Sequence, residues 1–162
     1  MFNKDRIMEC VFCSKTTLTA ETFYEDENFA AICNIRPVVK GHCLIIPKRH
    51  VESMLELNEK ERKNFVSFSN KAVFIALKYA DTADFDLLLQ RGENAGQSVK
   101  HLHFHILPRK RNDNLAVNKK EFFQSFAEKE NKVKTLTQSE MAVVVRELSS
   151  IAENHKIQID EL

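Results

Sequence analysis

The stretch His101-Leu102-His103-Phe104-His105-Ile106-Leu107 decides how this chain is read. Side chains on a β-strand alternate between faces, so this spacing predicts three imidazoles on one side and Leu102, Phe104 and Ile106 on the other. The implied sheet has one buried face and one histidine-lined face. Three of the chain's six histidines fall within these five positions, where a merely polar face would be served by Thr, Lys or Glu. The cluster therefore asks for chemistry. The outer imidazoles of such a strand stand roughly 13 Å apart, and Zn–N bonds are only about 2.0–2.1 Å, so three do not easily share one ion. A metal held by two of them, general acid–base catalysis, and one imidazole acting as a nucleophile on phosphorus remain as chemistries. A row of core histidines bonded to backbone groups is the alternative without chemistry.

Just upstream, Gln90 closes a β-prone run and Gly96-Gln97-Ser98 precedes the triplet. Neutral amide and hydroxyl donors beside imidazoles suit an oxyanion such as phosphate, and Gly96 lets the backbone approach it closely. Working outward, Thr22–Glu25 and Phe29–Asn34 flank the turn-like Asp26-Glu27-Asn28, and His42–Ile46 lies between Gly41 and Pro47. These runs predict an antiparallel meander. Asn58 with Glu61 fits a capping box, and Phe65, Phe68, Ala72, Ile75 and Tyr79 recur at helical spacing, predicting a long helix with one face on the sheet. Asp84–Gln90 and Val99–Leu107 read as two further strands. The fold class is α+β, an antiparallel sheet of about five strands with a long helix packed on it. Beyond Pro108, Arg109–Lys120 carries five basic residues against one acidic and reads as a solvated linker rather than a phosphate-attracting rim. Two helices are expected after it, over Lys120–Lys129 and Thr137–Asn154, the second with a Thr137/Glu140 capping box.

Composition sets the bounds. The chain has 162 residues, 24 Lys+Arg against 23 Asp+Glu, 43% hydrophobic and 29% charged residues, which excludes disorder and a strongly basic nucleic-acid binder. The longest apolar run, Ala72–Leu77, is six residues, far below the roughly 20 of a membrane span. The opening Met-Phe-Asn-Lys-Asp-Arg lacks the apolar core of a signal peptide, so a cytoplasmic protein is expected. Cys10 and Cys13 are spaced as Cys-x-x-Cys, which in a reducing compartment reads as a metal site, a redox pair or two core thiols. Cys33 and Cys43 lie in apolar strands and read as inert core residues. His42, after a turn glycine, reads as structural, and His155, near a helix end, as exposed.

With these residues in view, the sequence resembles the histidine triad family, whose hallmark is His-x-His-x-His followed by two apolar residues. The likeness covers roughly the first 110 residues and extends to Asn34-Ile35-Arg36-Pro37, Gly41-His42, Ile46-Pro47-Lys48-Arg49-His50, Gly96-Gln97-Ser98-Val99-Lys100 and Pro108-Arg109. Gln90 with Gln97 looks most like the fragile histidine triad branch, the dinucleoside polyphosphate hydrolases. The resemblance implies a domain over residues 1–110, a helical extension over 111–162, and a homodimer whose two sheets join across a two-fold axis. It implies that His103 attacks the α-phosphorus of a nucleotide to give a nucleotidyl-histidine. His105, Gln90, Gln97 and Ser98 would then hold the phosphate, Asn34 the ribose, and Val11, Phe12, Ile32 and Ile35 the base. Cys10 and Cys13 depart from that branch and match zinc-containing members, where a closed structural Zn site would be completed by His50 and His101. No organic cofactor is implied, and no membrane or nucleic-acid partner. A nucleoside phosphoramidase, an adenylyl transferase and a catalytically weak nucleotide sensor are the alternatives, with a zinc hydrolase open at the triad as a further one.

Overall fold

The computed structural model describes residues 10–113, 115 and 119–162; the opening stretch read against a signal peptide lies outside them. Strands Thr22–Glu25 (β1), Phe29–Cys33 (β2), Cys43–Pro47 (β3), Asp84–Leu89 (β4) and Phe104–Arg109 (β5) form one antiparallel sheet in the order β1-β2-β3-β5-β4. Helices cover Lys15–Glu21 (α1), Glu59–Ala80 (α2), Lys119–Lys132 (α3), Gln138–Asn154 (α4) and Lys156–Asp160 (α5). The α+β class and the five strands follow the sequence reading. The β1–β2 turn forms because the Asp26 carboxylate accepts the Asn28 and Phe29 amides at 2.7 and 2.8 Å, an Asx-type turn.

Capping starts α2 where the sequence places it. Asn58 Oδ1 accepts the Glu61 amide at 2.9 Å while Glu61 Oε2 accepts the Asn58 amide at 2.7 Å, the reciprocal arrangement of a capping box. Arg49 donates to both Glu61 oxygens at 3.0 and 2.8 Å, tying the end of β3 to the helix start. Phe68, Ala72, Ile75 and Ala76 then bury one stripe of α2 against Phe29, Ala31, Ile45, Phe104 and Ile106. The turn into β3 needs glycine. Gly41 has φ +82°, and a Cβ there would sit 3.1 Å from Pro108 Cγ and 3.2 Å from the Ala76 carbonyl oxygen.

Four features depart from the sequence reading. The histidine strand begins at Phe104 rather than Val99, because ladder pairing with β3 and β4 ends at Ile45 and Leu89. His101 and Leu102 turn their amides instead to the carbonyls of Val99 and Val51. The histidine face is itself covered: His101, His103 and His105 are 0, 4 and 5% exposed. One cover is the N-terminal layer, where Phe12 and Leu18 pack on Ile32, Leu44 and Ile46; it includes α1, whose sparse apolar residues give no helical period. The other is α3, where Phe122 and Phe126 pack on Leu107, Val38 and Val39.

Arg109 is not part of a solvated linker. It lies 2.6 Å from both Asp86 and Asp113 and stacks 5.3 Å from the Phe122 ring centroid; residues 114 and 116–118 of that segment lie outside the described part. Finally, His155 is half-buried, with Nδ1 donating to the Ile151 carbonyl at 3.0 Å and its ring 5.8 Å from Phe74. On the α2 side of the sheet, Met141 and Leu148 of α4 and Ile159 of α5 enter the same core as Phe23 and Phe68. Among the described residues no helix is long and apolar enough to cross a membrane.

Candidate active site and metal centre

Alternation along the segment that leads into β5, with His101 and His103 before the ladder and His105 in it, delivers the histidines to one face, and backbone acceptors then fix each ring. His103 Nδ1 donates to the His101 carbonyl at 2.7 Å, which leaves Nε2 without a proton and exposes its lone pair. Burial lowers the His103 pKa, partly opposed by that same hydrogen bond, so the ring is neutral at physiological pH. Val38 N–H donates to His42 Nδ1 at 3.3 Å, and His42 Nε2 stands 2.9 Å from His105 Nδ1. Val38 N–H at Nδ1 puts the proton of His42 on Nε2, where His105 Nδ1 is the acceptor; Asn34 Nδ2, 3.1 Å from the same Nε2, is itself a donor and makes no hydrogen bond to it. His105 then carries its own proton on Nε2, as a donor. The face therefore presents a bare nitrogen from His103 and an N–H from His105, with ring centroids 5.1 Å apart. His42, read from the sequence as structural, sets the tautomer of its neighbour; the Gly41-His42 pair was the signal for it.

A cavity of about 330 Å³ opens over these two rings. Of the residues singled out in the sequence, Val11, Phe12, Asn34, Ile35, Ser98, His103 and His105 line it. Val11 and Ile35 are 51 and 45% exposed, apolar surface that a flat ring would cover. Ile32, fully buried, packs with Phe12, Ala30, Leu44 and Ile46 and is not among the lining residues. The two glutamines also stand outside the lining. Gln90 Nε2 donates to the Ala95 carbonyl at 2.7 Å, while Gln97 Oε1 accepts the Gly92 amide at 2.8 Å. They stitch the 91–97 loop, and Gln97 Nε2 reaches the His101 carbonyl at 3.4 Å, the group that orients His103. Arg36, quoted only within the Asn34-Ile35-Arg36-Pro37 motif, lines the cavity as well, and sequence reasoning missed Glu21 and Thr135, which also line it. It missed Phe126 too, whose ring stands edge-on 5.6 Å from His105 and 6.2 Å from His42. No local pattern marks Glu21, Thr135 and Phe126, because they arrive from α1 and the C-terminal segment.

A second cluster lies on the other side of Phe12. The ligand atoms of Cys10, Cys13, His50 and His101 all fall within 4.8 Å of one another. Cys10 Sγ is 3.4 Å from His101 Nδ1, and Cys13 Sγ is 3.3 and 3.5 Å from the Nδ1 atoms of His50 and His101. A tetrahedral ion with ordinary Zn–S and Zn–N bonds would set such S···N edges at about 3.6 Å. His101 Nε2 donates to the Pro47 carbonyl at 2.9 Å, so the nitrogen facing the sulfurs is the unprotonated one, as a ligand must be. Without a cation, burial and the neighbouring Cys10 push the Cys13 thiol up to about 12; a bound divalent ion removes that cost by favouring the thiolate. The donor set can thus hold a metal ion, with all four positions taken by protein.

Against this geometry stand the comparisons with known proteins. The HIT domain signature matches residues 15–112. The chain belongs to the HIT family. A HIT-like protein of Methanocaldococcus jannaschii is 38% identical over 106 residues, 64% of this chain and 81% of that protein. A bis(5'-nucleosyl)-tetraphosphatase (asymmetrical) of Schizosaccharomyces pombe is 32% identical over 103 residues, 64% of this chain and 57% of that protein. Among solved structures, a hypothetical histidine triad nucleotide-binding protein of Sulfolobus tokodaii superposes with TM-score 0.68 at 29% identity, over 91% of this chain and 94% of that one. A Zn-bound histidine triad protein of Mycobacterium smegmatis gives TM-score 0.58 at 27% identity, over 89% and 98%.

Burial of the HIT histidines has a thermodynamic consequence. His105 is held down to about 3 by desolvation and by its neighbour His103, whereas in the unfolded chain it titrates near 6.5. The unfolded state therefore binds the extra proton first, and stability falls as pH drops from about 6.5 towards 3 while staying level above. The loss from His105 alone is about 1.4 kcal/mol per pH unit in that window. Urea unfolding of wild type and His105→Asn at pH 8, 6, 5 and 4 should show a shallower acid limb for the variant; identical limbs would refute the assignment.

Proposed function

We propose that this protein cleaves the α-phosphate anhydride of dinucleoside polyphosphates through a nucleotidyl-histidine intermediate. The observation that carries the reading is His103, whose Nδ1 is anchored at 2.7 Å on the His101 carbonyl while its bare Nε2 faces a cavity with apolar walls. Such a nitrogen is a nucleophile with no competing proton, and the charge it gains on attack is relieved through Nδ1–H toward the carbonyl. Attack by Nε2 forms a P–N bond and breaks the P–O bond to the departing polyphosphate. His105 Nε2–H and the Ser98 hydroxyl are placed to bind the phosphoryl oxygens as charge develops. Water then cleaves the P–N bond, releasing the mononucleotide and restoring His103. Val11, Phe12 and Ile35 form the slot for the base, and Asn34 stands beside the ribose. The tetraphosphatase among its relatives supports this substrate class. His103→Ala should lower turnover of a diadenosine polyphosphate by at least about 10⁴-fold while nucleotide affinity changes little, with AMP and the remaining nucleotide as wild-type products by chromatography. Near-wild-type hydrolysis by the variant would sink the assignment. Turnover of an adenosine phosphoramidate in its place would favour the phosphoramidase reading, and tight binding without any product the sensor reading.

Zinc is the ion we propose for Cys10, Cys13, His50 and His101, since a mixed thiolate and imidazole set of four suits a borderline-soft ion without an open position. When bound, it ties the N-terminal turn to His101, whose carbonyl orients His103, and takes no part in the reaction. Metal analysis should give about one zinc per chain in wild type and a large loss in Cys13→Ser; equal content in both would refute the site.

The assembly we propose is a homodimer joined along β4. That strand closes one side of the sheet, its outer edge unpaired among the described residues, and its Phe85 and Leu87 are 45 and 41% exposed. The opposite edge is covered, since Ser149 Oγ donates to the Phe23 carbonyl at 3.2 Å. Sedimentation velocity should find twice the chain mass for wild type and a shift toward monomer for Phe85→Asp; a wild-type monomer at micromolar concentration would overturn it.

A further inference from the structure

Glu21 is the last residue of α1, half-buried, and it lines the cavity with Val11, Phe12, Asn34 and Ile35. Among the described residues its carboxylate has no hydrogen bond and no ion pair. Its polar neighbours Asn34 and Arg36 are engaged with each other and with Thr135. Asn34 Oδ1 accepts the Arg36 amide at 2.8 Å, and Arg36 Nε donates to Thr135 Oγ1 at 3.3 Å. A carboxylate taken part-way out of water without a partner is costly. Desolvation alone pushes the Glu21 carboxyl up to about 7, so at neutral pH a ligand that offers donors draws it into the ionised form.

The position tells which part of a nucleotide it meets. Val11 and Phe12, proposed walls of the base slot, belong to the N-terminal layer that runs on into α1, so the carboxylate is delivered from the wall that holds the base. Two carboxylate oxygens accept best from two parallel N–H donors on one edge. Guanine presents that pair, N1–H and N2–H. Adenine places a lone pair at N1 beside its amino group, and uracil flanks its single N–H with two carbonyls, so both set like charge against the carboxylate.

We propose that Glu21 reads the base and makes the site selective for guanine nucleotides. This inference rests on the reading of the cavity as a nucleoside site, but not on catalysis. A site built to hydrogen-bond a donor edge rejects the base that lacks it, because its own polar group is then left unpaired. Removing the charge while keeping the shape, as in Glu21→Gln, removes the selectivity and supplies an amide that suits adenine equally.

Titration calorimetry with GMP, AMP and dGMP on the full-length wild type and on Glu21→Gln and Glu21→Ala tests it, with circular dichroism to confirm that both variants fold. The expected result is GMP bound about 10- to 100-fold more tightly than AMP by wild type, a preference lost in both variants, and an unchanged ratio of GMP to dGMP. Equal affinity for GMP and AMP in wild type, a preference that survives in the variants, or no binding of either nucleotide overturns it. So does a Glu21-dependent preference for GMP over dGMP without base discrimination, which would move the carboxylate to the ribose. Hydrolysis of diguanosine and diadenosine tetraphosphates, run in parallel, separates the two readings. Selective GMP binding without cleavage upholds Glu21 and removes the hydrolase; cleavage of both at equal kcat/KM with equal binding removes Glu21 alone.

Discussion

A central strand and its lead-in segment, covered on both faces, leave His101, His103 and His105 at most 5% exposed, so each imidazole is satisfied by the protein or turned toward a ligand. That constraint organises the centre of this molecule. His101 gives one nitrogen to the Pro47 carbonyl and turns the other to two sulfurs. His103 gives one nitrogen to the His101 carbonyl and keeps the other free, and His105 leans on His42. Each hydrogen bond fixes a tautomer, and each tautomer decides whether the remaining nitrogen binds a metal, attacks or donates. The lowered pKa values share the same cause, since desolvation is the leading influence on all three.

The carbonyl of His101 joins the two halves of the site. One residue contributes its ring to the Cys-Cys-His cluster and its backbone oxygen to the ring of His103, while Gln97 reaches the same oxygen at 3.4 Å. A shift of the N-terminal turn would therefore be felt at His103 through covalent connection and a single hydrogen bond. Phe12 reinforces the link, with its ring 5.8 Å from His101 and 5.4 Å from His103.

The cover on the histidine face is split, and the split makes the cavity. The N-terminal layer packs over β2 and β3, α3 packs over β5 through Phe122 and Phe126, and the opening lies between them. Thr135 and Leu136, just past α3, close the side near Ile35, where Leu136 N–H donates to the Ile35 carbonyl at 2.9 Å. The C-terminal segment thus shapes the site at Thr135 and Phe126 while α4 and α5 complete the core on the other face.

The sequence by itself determined the alternation of His101, His103 and His105 with Leu102, Phe104 and Ile106, the capping boxes at Asn58 and Thr137, and the spacing of Cys10 and Cys13. Each is set by neighbours within a few residues, through the two-residue period of a strand or the first turn of a helix. Only the tertiary structure decided that the histidine face is covered, that Arg109 is pinned between Asp86 and Asp113, and that Gln90 and Gln97 hold a loop instead of lining the cavity. It alone brought Glu21, Thr135 and Phe126 to the histidines. Those contacts join residues up to about a hundred positions apart, and α1 and α3 carry no local mark of where they dock, because a helix with a short apolar stripe fits many surfaces. Which surface it meets is settled when the sheet has formed and its uncovered patches remain to be buried.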